Sequence, residues 1–160
     1  MNRLLMSSIL TAVTGRRQTT CRTASWWLSP DLGSVCDARR LTRDKLAAWG
    51  LDDQVEAAEL LVSELVGNAL EHAYGPVRLS FSAEEGLLRC EVEDENPDLP
   101  HMLIVDADAE SGRGLFLVDM LSCCWGGERT ARGKAIWFEL PVFAHAETDA
   151  PIGALAPVAA

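Results

Sequence analysis

The sequence predicts a layered α+β sandwich in which helices pack on a largely antiparallel sheet. Three observations carry this expectation. The elements read in the order strand, two helices, hairpin, helix, two strands. Leu60 to Ala73 repeats its apolar residues at helical spacing. Val77 to Asp94 then changes to the period of two that marks strands. A chain of 160 residues is long enough for one domain with a proper core and short ends.

Residues 1–23 carry four arginines (Arg3, Arg16, Arg17, Arg22) and no acid, and are expected to form a loosely ordered basic arm. A short apolar run lies behind Arg3, but no A-x-A-like cleavage site follows it. Ala24–Leu28 reads as a strand ended by Ser29-Pro30-Asp31. Ser34 is placed as the N-cap of a helix running to Trp49 and stopped by Gly50. Asp52 caps the next helix, which ends at Tyr74-Gly75-Pro76. Val77–Ser82 and Leu87–Asp94 form a hairpin around Ala83-Glu84-Glu85-Gly86. Residues 95–111 are a loop, and a helix runs from Gly114 to about Leu121. Strands near Cys123–Gly126 and over Lys134–Leu140 are joined through Gly127–Gly133. The ordered domain is therefore 24–141, and the Ala/Pro-rich residues 142–160 are expected to be a disordered tail.

Composition removes several function classes. A net charge of −10 argues against a general nucleic-acid binder. No run of about 18 or more apolar residues is present to span a membrane. Five cysteines, an odd number without a C-x-x-C pair, make neither a disulfide framework nor a zinc site by spacing. Cys123 and Cys124 are expected to fill space in or near the core. A reduced, cytoplasmic protein is the reading that fits.

Chemistry gathers in three stretches. On the helix through Leu60–Ala73, Leu65, Val62, Ala69, Val66, Ala73 and Leu70 fill an apolar arc. Glu64, Asn68 and His72 stack four apart on a narrow stripe flanked by Leu60 and Leu61, unlike an ordinary outer face. Taken alone, a Glu and an Asn at this spacing are merely solvated. On the strand Leu87–Asp94, Leu88, Cys90, Val92 and Asp94 share one face, so a carboxylate ends an apolar row. A buried carboxylate needs a donor, such as the exocyclic amine of a purine. The plainer alternative turns Asp94 to solvent or uses it to cap the loop. In Ser111-Gly112-Arg113-Gly114-Leu115, two glycines precede a helix whose free amides suit a phosphate. Most such pairs are simply tight turns. Gly133-Lys134-Ala135 does not complete a Walker loop, because Gly127 is one residue too far away and Ala135 replaces the Ser/Thr.

In order, E-x-x-x-N-x-x-x-H on a helix, a strand ending in Asp, a short loop and G-x-G-L at a helix start resemble the GHKL nucleotide-binding superfamily. Within it, E-L-V-x-N-A-x-x-H-A, G-R-G-L-x-L-V and the closing G-K-x-x-W-F-E-L are similar to the anti-sigma-factor serine kinases. The resemblance covers roughly residues 24–141 and implies a two-layer sandwich of the GHKL (Bergerat) ATP-binding type, with helices on one face. It implies Mg²⁺ held by Asn68, Glu64 as general base, and Asp94 accepting a hydrogen bond from the adenine amine. Asn96 would lie at the nucleotide beside Asp94, and Gly112, Arg113, Gly114 and Leu115 in or beside the lid over the phosphates. His72 would make a structural hydrogen bond. Lys134 would lean toward phosphate or be a solvated strand lysine.

The implied activity is ATP-dependent phosphorylation of a serine on an anti-anti-sigma (STAS-type) partner, with capture of a sigma factor and homodimer formation by the same analogy. Nucleic acid and membrane are not expected partners. The sequence departs from the superfamily where D-x-G-x-G is usual, carrying Asp94-Glu95-Asn96-Pro97-Asp98. A non-catalytic nucleotide-binding module that sequesters a regulatory protein is therefore the alternative. A complete sensor kinase would need an upstream helix pair bearing a phosphoacceptor histidine, which this sequence does not contain.

Overall fold

The computed structural model describes residues 21–72, 74–99 and 113–142. The basic arm up to residue 20, residues 100–112 of the loop and the tail from residue 143 lie outside the described residues. β1 (Arg22–Leu28) begins before Ala24, the expected first residue. Its adjacent tryptophans point to opposite faces, as the period of two requires. Trp26 meets Phe81 edge-on at 5.6 Å, whereas Trp27 is half exposed and carries the Arg132 guanidinium 4.5 Å above its ring.

α1 (Gly33–Ala48) has no side-chain cap. Ser34, expected as the N-cap, lies one residue inside the helix. Its hydroxyl donates instead to the Ser29 carbonyl at 2.6 Å, which ties the helix start to the end of β1. The C-terminal expectation fits better. Gly50 takes a φ of +69°, and the amides of Gly50 and Leu51 donate to Ala47 and Leu46 at 3.0 and 2.9 Å. That is a Schellman closure with buried Leu46 and Leu51 at its two ends. Asp52 opens a single 3-10 turn (Asp52–Gln54) before α2 (Val55–His72).

β2 (Val77–Glu84) and β3 (Leu87–Asp94) make the expected hairpin, with β2 extended to Glu84. Glu85 and Gly86 both have positive φ, at 51° and 79°, the requirement of a two-residue type I′ turn. α3 (Arg113–Leu121), β4 (Cys124–Arg129) and β5 (Lys134–Pro141) complete the described chain. The strand order is β1-β2-β3-β5-β4, and every neighbouring pair is antiparallel. β5 is thus inserted beside β3, a non-local pairing that brings Asp94 opposite Lys134.

The core lies between α2 and one face of the sheet. Ala58, Leu61, Val62, Leu65, Val66 and Ala69 face it from the helix, while Phe81, Leu88, Cys90, Val92 and Phe138 face it from the strands. Leu61 is fully buried and Leu60 is 41% exposed, so the apolar arc is rotated from the expected one. The opposite face mixes polar side chains with Trp27 and Trp137, on whose rings Arg78 and Arg89 lie. Thr23, Ser25, Arg78, Ser80, Ser82 and Arg89 border a hollow of about 480 Å³ there.

Truncating Phe138, whose ring is fully buried, to Ala should cost about 3–5 kcal/mol. Leu32→Ala, at a residue 82% exposed, should change stability by less than about 0.5 kcal/mol. Urea midpoints measure both, and comparable losses would place the core elsewhere.

Candidate functional site

The Glu64–Asn68–His72 stripe runs along one border of the buried arc of α2. Glu64 and Asn68 are half-buried and His72 is exposed. The start of α3 packs against that border. A Cβ placed on Gly114 would lie 2.9 Å from Glu64 Oε2 and 3.2 Å from Asn68 Nδ2. A side chain at position 114 would therefore push on both groups, and glycine is what lets the helix start approach them. Leu115 and Val118 anchor α3 in the core. The Arg113 backbone begins this helix, while Ser111 and Gly112 lie outside the described residues.

Asp94 ends β3 at 3% exposure, so it neither turns to solvent nor remains without a donor. Its Oδ1 accepts from the Asn96 amide at 2.8 Å and from Lys134 Nζ at 3.0 Å. Both donors fall on Oδ1. Lys134 is itself 7% exposed and also donates to the Asn96 carbonyl at 3.0 Å. It is therefore neither a solvated strand lysine nor a group aimed at phosphate. Its charge is spent on the carboxylate directly across the β3–β5 ladder. An isolated buried carboxylate is costly, and the ammonium with two hydrogen bonds is what permits this one.

The segment after Asp94 is held from several sides without the expected glycines. Asn96 Oδ1 accepts from the Asp98 amide at 3.0 Å, and Asn96 Nδ2 donates to the His72 carbonyl at 3.1 Å. These side-chain-to-backbone bonds make successive turns of the kind Asp and Asn favour. Neither Glu95, Asn96 nor Asp98 has positive φ, so this backbone has no need of glycine there. It is the backbone carbonyl of His72 that makes the structural hydrogen bond. The imidazole is exposed and lies 3.9 Å from the Glu71 carboxylate. Close approach is required instead at Gly133, where a Cβ would fall 2.2 Å from the Asp94 carbonyl oxygen. Arg132 adds a 2.9 Å bond from Nη2 to Glu95 Oε1.

The stripe lies on α2, and the end of β3 and the start of α3 both reach that helix. Asn96 joins the second to the C-terminal end of α2, and Gly114 joins the third to its middle. The hollow on the opposite sheet face shares no residue with this cluster, and its arginines are engaged by Glu91, Glu93 and Glu139. The α2 cluster, with a carboxylate, an amide and helix-end amides together, has the chemistry of a site. Sequence reasoning missed the Asp94–Lys134 pair and the role of Gly133. The signal was present only in the strand register.

Replacing Lys134 with Met leaves Asp94 buried with a single backbone donor. A loss of about 3–5 kcal/mol is expected by denaturant unfolding, and most of it should return in the Asp94→Leu/Lys134→Met double variant. A near-neutral single substitution would show that the pair does not hold this corner.

The model of the histidine kinase-like ATPase domain matches residues 28–139. No curated protein matches the chain. Among solved structures, the RsbU and RsbW domains of Rv1364c from Mycobacterium tuberculosis superpose with a TM-score of 0.55 at 20% identity. That match covers 76% of this chain and 33% of the other, so this chain spans about a third of that structure's length and shares its fold. The histidine kinase domain of the Erythrobacter litoralis EL346 blue-light activated histidine kinase matches at 31% identity and a TM-score of 0.42, over 55% of this chain and 46% of that one. With its family model matched across most of its length and, among the described residues, an all-antiparallel five-stranded sheet and three α-helices, the chain belongs to the histidine kinase-like ATPase domain family.

Proposed function

We propose that this domain is an ATP- and Mg²⁺-dependent protein serine kinase acting as a regulatory switch, with a serine of an anti-anti-sigma (STAS-type) protein as its target. The observation that carries this reading is the approach of Gly114 to Glu64 and Asn68. A carboxylate, a side-chain amide and the first turn of a helix lie against one another there.

These residues fit the groups the reading requires. Asn68 offers a hard amide oxygen suited to Mg²⁺. The first-turn amides and positive end of α3 would suit phosphate oxygens. When bound, the ion would supply charge neutralisation for the phosphates. Glu64, one turn before Asn68, would take the proton from the attacking serine hydroxyl. Asp94 would accept from the adenine amine through Oδ2, since Lys134 and the Asn96 amide both occupy Oδ1. Asn96 would hold the adenine side of the site to α2. Gly112, Arg113, Gly114 and the Leu115 backbone would line the phosphate end, where positioning and charge stabilisation do most of the catalytic work, while the Leu115 side chain stays in the core. A homodimer and capture of a sigma factor extend the same reading.

A non-catalytic binding module is the competing reading. Its motive is specific: one oxygen of Asp94 is already committed within the protein, and the adjoining loop lacks the family's glycines.

Incubation with labelled ATP, Mg²⁺ and a purified STAS-type protein should yield acid-stable phosphate on a partner serine. Glu64→Ala should lower transfer by about 100-fold or more while leaving the calorimetric Kd for Mg-ATP nearly unchanged. Equal loss of transfer and binding would remove Glu64 from the base role. Mg-ATP binding without any transfer to the partner, or no binding at millimolar Mg-ATP, would decide for the non-catalytic module, with nucleotide structural in the first case and absent in the second.

A further inference from the structure

Cys123 and Cys124 do not fill the core as their apolar surroundings in sequence suggest. Both are exposed. Cys123 follows the end of α3, and Cys124 is the first residue of β4, directly opposite Glu139 on β5. The ligand atoms of Cys123, Cys124 and Glu139 all lie within 4.8 Å of one another. We propose that these three side chains form a binding site for a thiophilic divalent cation of the zinc class, with water completing the coordination.

The backbone presents the set in advance. The Cys123 amide and thiol both donate to the Glu139 carbonyl, at 2.9 and 3.2 Å, so Cys123 is pinned to the residue that supplies the carboxylate. Trp125 Nε1 donates to Asp119 Oδ1 at 2.9 Å and fixes the angle between α3 and β4. Arg89 bonds Glu139 Oε1 at 3.2 Å, which limits how the carboxylate can turn. A tetrahedral ion with zinc–sulfur bonds of about 2.3 Å holds two thiolates roughly 3.8 Å apart. Side-chain rotation at exposed residues can bring the cluster to that spacing without moving the sheet. Two sulfurs select a soft or borderline cation over Mg²⁺ or Ca²⁺, which take all-oxygen sites.

Spacing rules miss this arrangement because they look for a second pair along the chain. Here the third ligand arrives across the β4–β5 ladder. The other cysteines do not compete. Cys90 is buried in the core, while Cys21 and Cys36 join no such cluster among the described residues. The cluster also shares no residue with the Glu64–Asn68–Asp94 site.

The test is titration of the reduced, chelator-treated full chain with Co²⁺, a spectroscopic stand-in, followed by displacement with Zn²⁺. A thiolate-to-cobalt charge-transfer band should saturate at one ion per chain and disappear on adding zinc. Cys123→Ser and Cys124→Ser should each lose the band, whereas Cys36→Ser should retain it. Glu139→Gln, which keeps the side chain's shape, should move the titration midpoint upward by about tenfold or more. No band in the unmodified chain would overturn the site. So would a band that survives both cysteine substitutions, or saturation at one ion per two chains. An unchanged midpoint in Glu139→Gln would overturn the three-ligand assignment.

Discussion

The buried pair of Asp94 and Lys134 is the constraint on which this corner of the molecule depends. Two opposite charges lie 3.0 Å apart at 3% and 7% exposure, at the end of β3 and the start of β5. Neither would be stable there alone. The pairing requires β5 to lie beside β3 in one register. Gly133, with no Cβ to strike the Asp94 carbonyl, allows the approach. Asn96 then extends the same cluster to the end of α2. A single ion pair thus links sheet order, strand register and the position of the loop that borders the site.

The second element is a helix used on two faces. α2 buries one arc against the sheet and presents Glu64 and Asn68 along its border, half-covered by the start of α3. A side chain at such a border is fixed by packing yet still reachable, which is what a binding or catalytic group needs. Gly114 makes the border usable, since any larger residue would displace the carboxylate and amide. A Cβ on Gly67, on the same helix, would meet nothing within 4 Å among the described residues.

Much of the fold was legible in the sequence, because local signals and the final packing agree. The period of two in β3 put Leu88, Cys90, Val92 and Asp94 on the inner face, and all four are buried. Gly50 and Gly86 occupy the left-handed backbone conformation glycine favours, whereas Glu85, at φ 51°, takes it because the tight turn demands it. Ser34 was misread because a serine near a helix start has two carbonyl and amide environments in reach, and here the Ser29 carbonyl wins. Lys134 was misread for a different reason. Its partner is 40 residues away, and nothing local to Gly133-Lys134-Ala135 reveals which strand will lie alongside. The vicinal cysteines were misread because apolar neighbours suggested burial, while the chain bends there between α3 and β4 and leaves them outside.

In the function proposed here Asp94, already paired on Oδ1, would keep Oδ2 for a purine amine. Calorimetric titration of the protein with ATP and with inosine triphosphate, both with Mg²⁺, tests it directly, because inosine carries a carbonyl where adenine carries the amine. ATP should bind tighter by about tenfold or more, since the inosine carbonyl would leave a buried acceptor facing another acceptor. Equal affinities for the two nucleotides would contradict the placement of the base at Asp94.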